Sequence, residues 1–183
     1  MKNTTKKLAG SALFAALSVV LARLIGLMPE ASMRFSIEAV PIFLGGLCFG
    51  PLYGAMIGFV ADFVGCLFSG FGYNPIFCLP PILYGLCAGL FRPLFLRKMS
   101  LWKIAVAFLP SVIFGSVLWQ SFTLAKVYGG HGDTLWQNYT YFLTTRTIQF
   151  AVTYVADVTA TWLLCRSNIF HKMGYLPKWK KKA

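Results

Sequence analysis

The sequence predicts an all-α integral membrane protein, a single bundle of six transmembrane helices with both termini in the cytoplasm. Three observations carry that expectation. Of the 183 residues 57% are hydrophobic, and the mean hydropathy is +0.67. Thirteen of the 17 Lys and Arg residues fall in three short patches free of Asp and Glu: Lys2 to Lys7, Arg92 to Lys103, and Arg166 to Lys182. Between the patches lie long apolar stretches broken mainly by Gly, Pro, Ser and Thr, so the patches read as cytoplasmic ends of membrane spans. Each crossing of an ~30 Å hydrocarbon layer takes about 20 residues, which leaves room for one bundle and no separate soluble domain.

The spans follow in order. Span 1 covers residues 8–28 and leaves the membrane at Pro29-Glu30, opposite the basic head. Span 2, residues 37–49, is short and ends where Gly50-Pro51 breaks one helix and starts the next. Span 3 covers 52–69 and span 4 covers 76–91, with an outer turn through Tyr73, Asn74 and Pro75 between them. After the cytoplasmic hinge Arg92 to Lys103, span 5 covers 101–125, an outer loop runs to Asn138, and span 6 covers 139–165. Six crossings put every clustered basic residue inside.

The net charge of +12 thus reports orientation in a cell membrane and not a nucleic-acid surface, which needs a soluble scaffold to carry it. The five cysteines lack C-x-x-C spacing, and His131 and His171 have no partners at ligand spacing, so neither a metal site nor a cofactor is expected. No nucleophile–base grouping, paired carboxylates or phosphate-binding loop occurs, and the chain is expected not to be an enzyme. The basic head before an apolar run has the form of a secretory signal, but the pattern continues past Arg23 to a spanning length.

Polar residues inside the spans mark the candidate site. On span 6, Phe142, Arg146, Gln149, Thr153 and Asp157 recur every three or four residues and share one helix face. Either that face is a polar seam between helices, or Arg146 grips a carboxylate-bearing ligand entering from outside. Trp119 and Gln120 on span 5 offer a stacking surface and an amide at comparable depth. Asn74 in the outer turn and Tyr84 on span 4 are further candidates, or else a turn former and a core aromatic. Arg23 and Arg34 are cations of the outer half. Asp62 ends the run Gly54-x-x-x-Gly58-x-x-x-Asp62, a close-packing face, and is either an ion-pair partner for one of these arginines or a ligand contact. Ala9, Ala12 and Ala16 form a small-residue stripe on span 1.

The order of these features resembles the substrate-binding S-component of energy-coupling factor (ECF) vitamin transporters, over essentially the whole chain. The stripe Ala12-x-x-x-Ala16 looks like that family's docking motif. Arg34-Phe35-Ser36, the run from Phe49-Gly50-Pro51 to Asp62, and Asn74-Pro75 resemble its folate branch, although Ile76-Phe77 stand where many folate members have a Pro-Gly pair. The resemblance implies tight vitamin capture from outside, then docking on a transmembrane coupling protein and two ATPases. Folate is compatible with the residues: its flat pterin suits Trp119 or Tyr84, with hydrogen bonds to Asn74, Gln120 or Gln149. Its carboxylates suit Arg23, Arg34 or Arg146. Another vitamin or vitamin precursor on the same scaffold, and a small secondary transporter or membrane enzyme, are the alternatives.

Overall fold

The computed structural model describes residues 2–23, 27–30, 33–68, 73–97, 100–129 and 134–167. Side chains are described over most of these, excluding those of residues 2, 3, 23, 27–30, 33–35, 96, 97 and 128. The chain forms α1 (Lys2–Arg23), β1 (Leu27–Glu30), β2 (Met33–Phe35), α2 (Ala39–Phe49), α3 (Pro51–Leu67), a 3₁₀ turn (Pro75–Cys78), α4 (Leu79–Leu90), α5 (Arg92–Arg97), α6 (Leu101–Pro110), a π-helical stretch (Ser111–Trp119), α7 (Gln120–Tyr128) and α8 (Leu135–Arg166). Among the described residues three helices are long and apolar enough to cross a membrane: Thr4–Ala22, Leu101–Val127 and Leu135–Arg166. Ala39–Phe49, Pro51–Leu67 and Pro75–Leu90 are apolar but shorter.

Two expectations need correction. The fold is helical but not purely α, because β1 and β2 pair antiparallel with Leu27 opposite Phe35 and Glu30 opposite Met33. Helix α1 therefore does not continue to Met28. Gly26 and Pro29 disfavour helix there, and the ribbon pairs backbone groups that a helix would otherwise have satisfied. The helix of span 5, from α6 to α7, is not uniformly α. Pro110 has no N–H to donate, and the backbone after it runs as a nine-residue π stretch before returning to α at Gln120.

Smaller boundary differences have local causes. Helix α8 begins at Leu135, ahead of Tyr139, because Thr134 and Gln137 form a reciprocal capping box. Ahead of α4, Asn74 Oδ1 accepts from the Ile76 amide at 3.2 Å and starts the 3₁₀ turn. Pro51 starts α3 directly after Gly50, whose φ of +104° suits glycine.

Helices α2, α3 and α4 make the tightest unit, with α1 across α2 and α3. A methyl group at Gly46, Gly54, Gly58 or Gly85 would strike the backbone of a neighbouring helix, so these glycines let the helices touch. The core continues through Phe43 stacked on Phe108 at 3.9 Å, which ties α2 to α6. Around this core, Leu13, Phe59, Phe114, Ile148, Val152 and Val155 face outward. Such an apolar belt is costly in water and favourable in hydrocarbon. Helix α8 packs against α2, α6, α7 and the ribbon strand β2.

Candidate functional site

Helix α8 contributes a polar column to the interior. Phe142, Arg146, Gln149, Thr153 and Asp157 are all buried, and Thr161 and Cys165 extend the same face inward. From Phe142 to Cys165 an α-helix rises about 35 Å, so the column runs the length of the bundle. Arg146, only 8% exposed, lays its guanidinium over the Phe150 ring at 5.7 Å from the centroid. Gln149 and Thr153 lie between it and Asp157, with the Thr153 hydroxyl turned back onto the Gln149 carbonyl at 3.2 Å.

The outer end of the column is walled by aromatics. Phe142 packs with Leu124 and Ala125 of α7, and Phe77 and Tyr139 lie against that cluster. Trp119, 38% exposed, donates from Nε1 to the Ile76 carbonyl at 2.8 Å, so the indole clamps the 3₁₀ turn to the fifth helix. Asn74 shares that turn and is occupied in capping it. Gln120 follows Trp119 directly and is half-buried. Trp119, Gln120 and Asn74 are thus gathered at one end, close to the turn that Asn74 starts.

Tyr84 stands apart from them. Its hydroxyl shares a 2.9 Å hydrogen bond with Ser116 Oγ of the π stretch, and its ring tilts onto Phe108 at 5.9 Å. It is buried in the central core. That is the setting of a core aromatic, and it links α4 to the π stretch near Asp157.

A small cavity of about 40 Å³ opens between α1, α2, α3 and α4, lined by Ser18, Ala22, Glu38, Ile42, Ala61, Asp62, Gly65 and Pro81. Ser18 Oγ donates to the Glu38 carbonyl at 2.8 Å. Asp62 reaches the Cys78 thiol, which also bonds Tyr73. Desolvation, with Cys78 and Asp62 close by, holds the Tyr73 phenol above its usual range. The side chains of Arg23, the last residue of α1, and Arg34, in β2, lie outside the described residues, as does any ion pair they make with Asp62. Backbone contact places β2 against α8, so Arg34 belongs to a strand beside the column.

Ala9, Ala12 and Ala16 are all exposed on α1, whereas Ser11, Phe14, Ala15 and Ser18 turn inward. Among the described residues no three His, Cys, Asp or Glu side chains converge as a metal would require. Sequence reasoning missed Ser116 as the partner of Tyr84, and it did not bring Asp157 together with Glu38. Their signal was present as acids within apolar segments; the pairing depends on how α2 meets α8.

Residues 6–165 match the family described as ECF transporter, substrate-specific component. Among solved structures, a crystal structure of FolT bound with folic acid is similar to this chain with a TM-score of 0.75 and 26% identity, covering 89% of this chain and 94% of that one. No curated protein matches the chain. With 160 consecutive positions matched, the chain belongs to the substrate-specific components of ECF transporters and is a membrane transport protein, not an enzyme.

Proposed function

We propose that this chain is the folate-binding subunit of an ECF-type importer, which captures folate from outside the cell and docks on an ATPase-driven coupling module. The observation that carries the reading is the likeness to FolT bound with folic acid along nearly the whole of both chains, combined with a buried cation on a polar column. Folate is a planar heterocycle joined to a dicarboxylate. Arg146 supplies a guanidinium fork for the carboxylates in a site shielded from water, with Arg34 and Arg23 as further cations near the outer end. Trp119 supplies the stacking surface, and Gln120, Gln149 and Asn74 the amides. Tyr84, held by Ser116 and packed on Phe108, shapes the wall and does not stack on the ligand.

In this reading the chain crosses the cell membrane six times with both termini in the cytoplasm. Helix α2 has 11 residues and rises only about 16 Å, so it reaches half-way. The β1–β2 ribbon fills the outer half beside it and helps roof the site. The exposed stripe Ala9, Ala12 and Ala16 on α1 is the docking face for the transmembrane coupling protein, which brings two ATPase subunits.

The test is what the protein carries. Purified in detergent without added ligand, it is expected to release a pterin compound on denaturation, identified by mass spectrometry. The emptied protein is expected to give a folate binding isotherm. Recovery of a different vitamin would reassign the cargo on the same scaffold. No retained molecule and no folate heat would reject the folate assignment.

A further inference from the structure

Asp157 is 3% exposed, and its Oδ1 has no hydrogen-bond partner among the described residues. Thr161, one turn further in and fully buried, has its hydroxyl in the same condition. Glu38, at the start of α2, lies within electrostatic reach of Asp157, and both lie within reach of the Tyr84 hydroxyl, which is engaged with Ser116. Two carboxyl groups, one on α8 and one just ahead of α2, are therefore brought within electrostatic reach of each other. Left without donors, a buried acceptor of this kind is expensive, and a second acid beside it adds repulsion when both are ionised. Arg146 sits 11 residues from Asp157 on the same helix, about 16 Å along the axis.

The column is thus polarised, with a guanidinium at its outer end and carboxyl groups at its inner end. A carboxylate accepts two parallel N–H bonds from any group that presents an N–H beside an NH₂ in one plane, the geometry a guanidinium uses. Resting on the folate reading above, we propose that Asp157, with Glu38 beside it, forms the floor of the binding path and accepts the ring N–H and exocyclic amino group of the pterin, so that folate enters heterocycle first with its carboxylates left at Arg146. The separation of about 16 Å along α8 suits an extended molecule with donors at one end and anions at the other. Thr161 supplies the hydroxyl that holds the second oxygen of Asp157 or the heterocycle's neighbouring atom. Specificity follows: the floor rejects a planar vitamin that lacks the amidine-like edge, because burying it leaves the carboxylate without donors.

The experiment compares folic acid with its analogue carrying a methyl group in place of the 2-amino group, by competition binding to the full chain in detergent. The wild-type protein is expected to bind the analogue on the order of 100-fold more weakly. Asp157→Asn is expected to weaken folic acid by a similar factor and the analogue by clearly less, since the amino-group contact is already absent from that complex and the asparagine oxygen still accepts from the ring N–H. Equal binding of both ligands by the wild type overturns the proposal, and that comparison needs no variant to fold. Equal weakening of both ligands in Asp157→Asn overturns it as well, leaving Asp157 a packing role. Failure of the wild type to bind folic acid at all removes the folate reading and this inference together, whereas tight folic acid binding without discrimination at the amino group removes the inference alone.

Discussion

Gly54 of α3 and Gly85 of α4 meet so closely that a methyl group on either would run into the backbone of the other. No side-chain rearrangement relieves such a clash, because the obstructing atoms are main chain. The contact sits at the centre of the α2–α3–α4 unit, with Gly46 of α2 against the same Gly85 carbonyl and Gly58 of α3 against Pro81 one turn along.

Gly85→Ala is therefore expected to force α3 and α4 apart and to destabilise the fold by about 2–3 kcal/mol, at the upper end of overpacking costs. Cys48, Cys78, Cys87 and Cys165 are buried, so a thiol-reactive fluorophore reports unfolding in detergent directly. A melting temperature equal to that of the wild type would show that the helices have room to spare.

Arg146→Ala is expected to weaken folate binding at least tenfold, roughly 1.5 kcal/mol or more for a charge-assisted bond. Arg146→Lys recovers only part of this, because an ammonium group does not reproduce a planar fork. Calorimetry on protein with an unchanged melting temperature checks both. Unaltered affinity in Arg146→Ala would leave the residue as a lid over Phe150.

Tyr84→Phe removes the hydrogen bond to Ser116 while keeping the ring on Phe108. Expected is a stability loss of about 0.5–1 kcal/mol with folate affinity changed by less than about twofold. A large loss of affinity would place the Tyr84 hydroxyl on the ligand.

Much of this architecture can be read along the chain, and the remainder has identifiable causes. The α8 column is legible because a 3.6-residue period survives in Phe142, Arg146, Gln149, Thr153 and Asp157 whatever the helix packs against. The break at Gly50-Pro51 is legible because proline and glycine act locally. The end of α1 is not, since β1 and β2 take their shape from pairing with each other and from the packing of β2 on α8, a tertiary influence that hydropathy does not record. Nor is the π stretch, which shows in the sequence only as a proline inside an apolar run. Thr134-x-x-Gln137 is readable as a capping box and places the start of α8 at Leu135. Grouping Asp157 with Glu38 requires the fold itself.

Docking and capture are expected to separate. Ala12→Trp and Ala16→Trp place indoles on the exposed side of α1, away from the inward-facing Ala15 and Ser18. Folate binding should stay within about twofold of the wild type, while uptake by cells carrying the coupling module falls to background, because a bulky ring blocks close helix approach. Joint loss of binding and uptake would make the stripe ordinary internal packing.

Orientation is the premise under all of these. Trp136 at the start of α8 is 72% exposed, and Ser167 follows its other end. If the basic patches mark the cytoplasmic rim, a membrane-impermeant maleimide added to intact cells should label Trp136→Cys and leave Ser167→Cys unmodified until the membrane is opened. Cys66 is the native thiol with partial exposure among the described cysteines, so its replacement by Ser gives the cleaner background. Labelling of Ser167→Cys in intact cells would invert the bundle. Arg146 would then sit nearer the cytoplasm than Asp157, and a path that admits folate from outside past Arg146 would no longer exist.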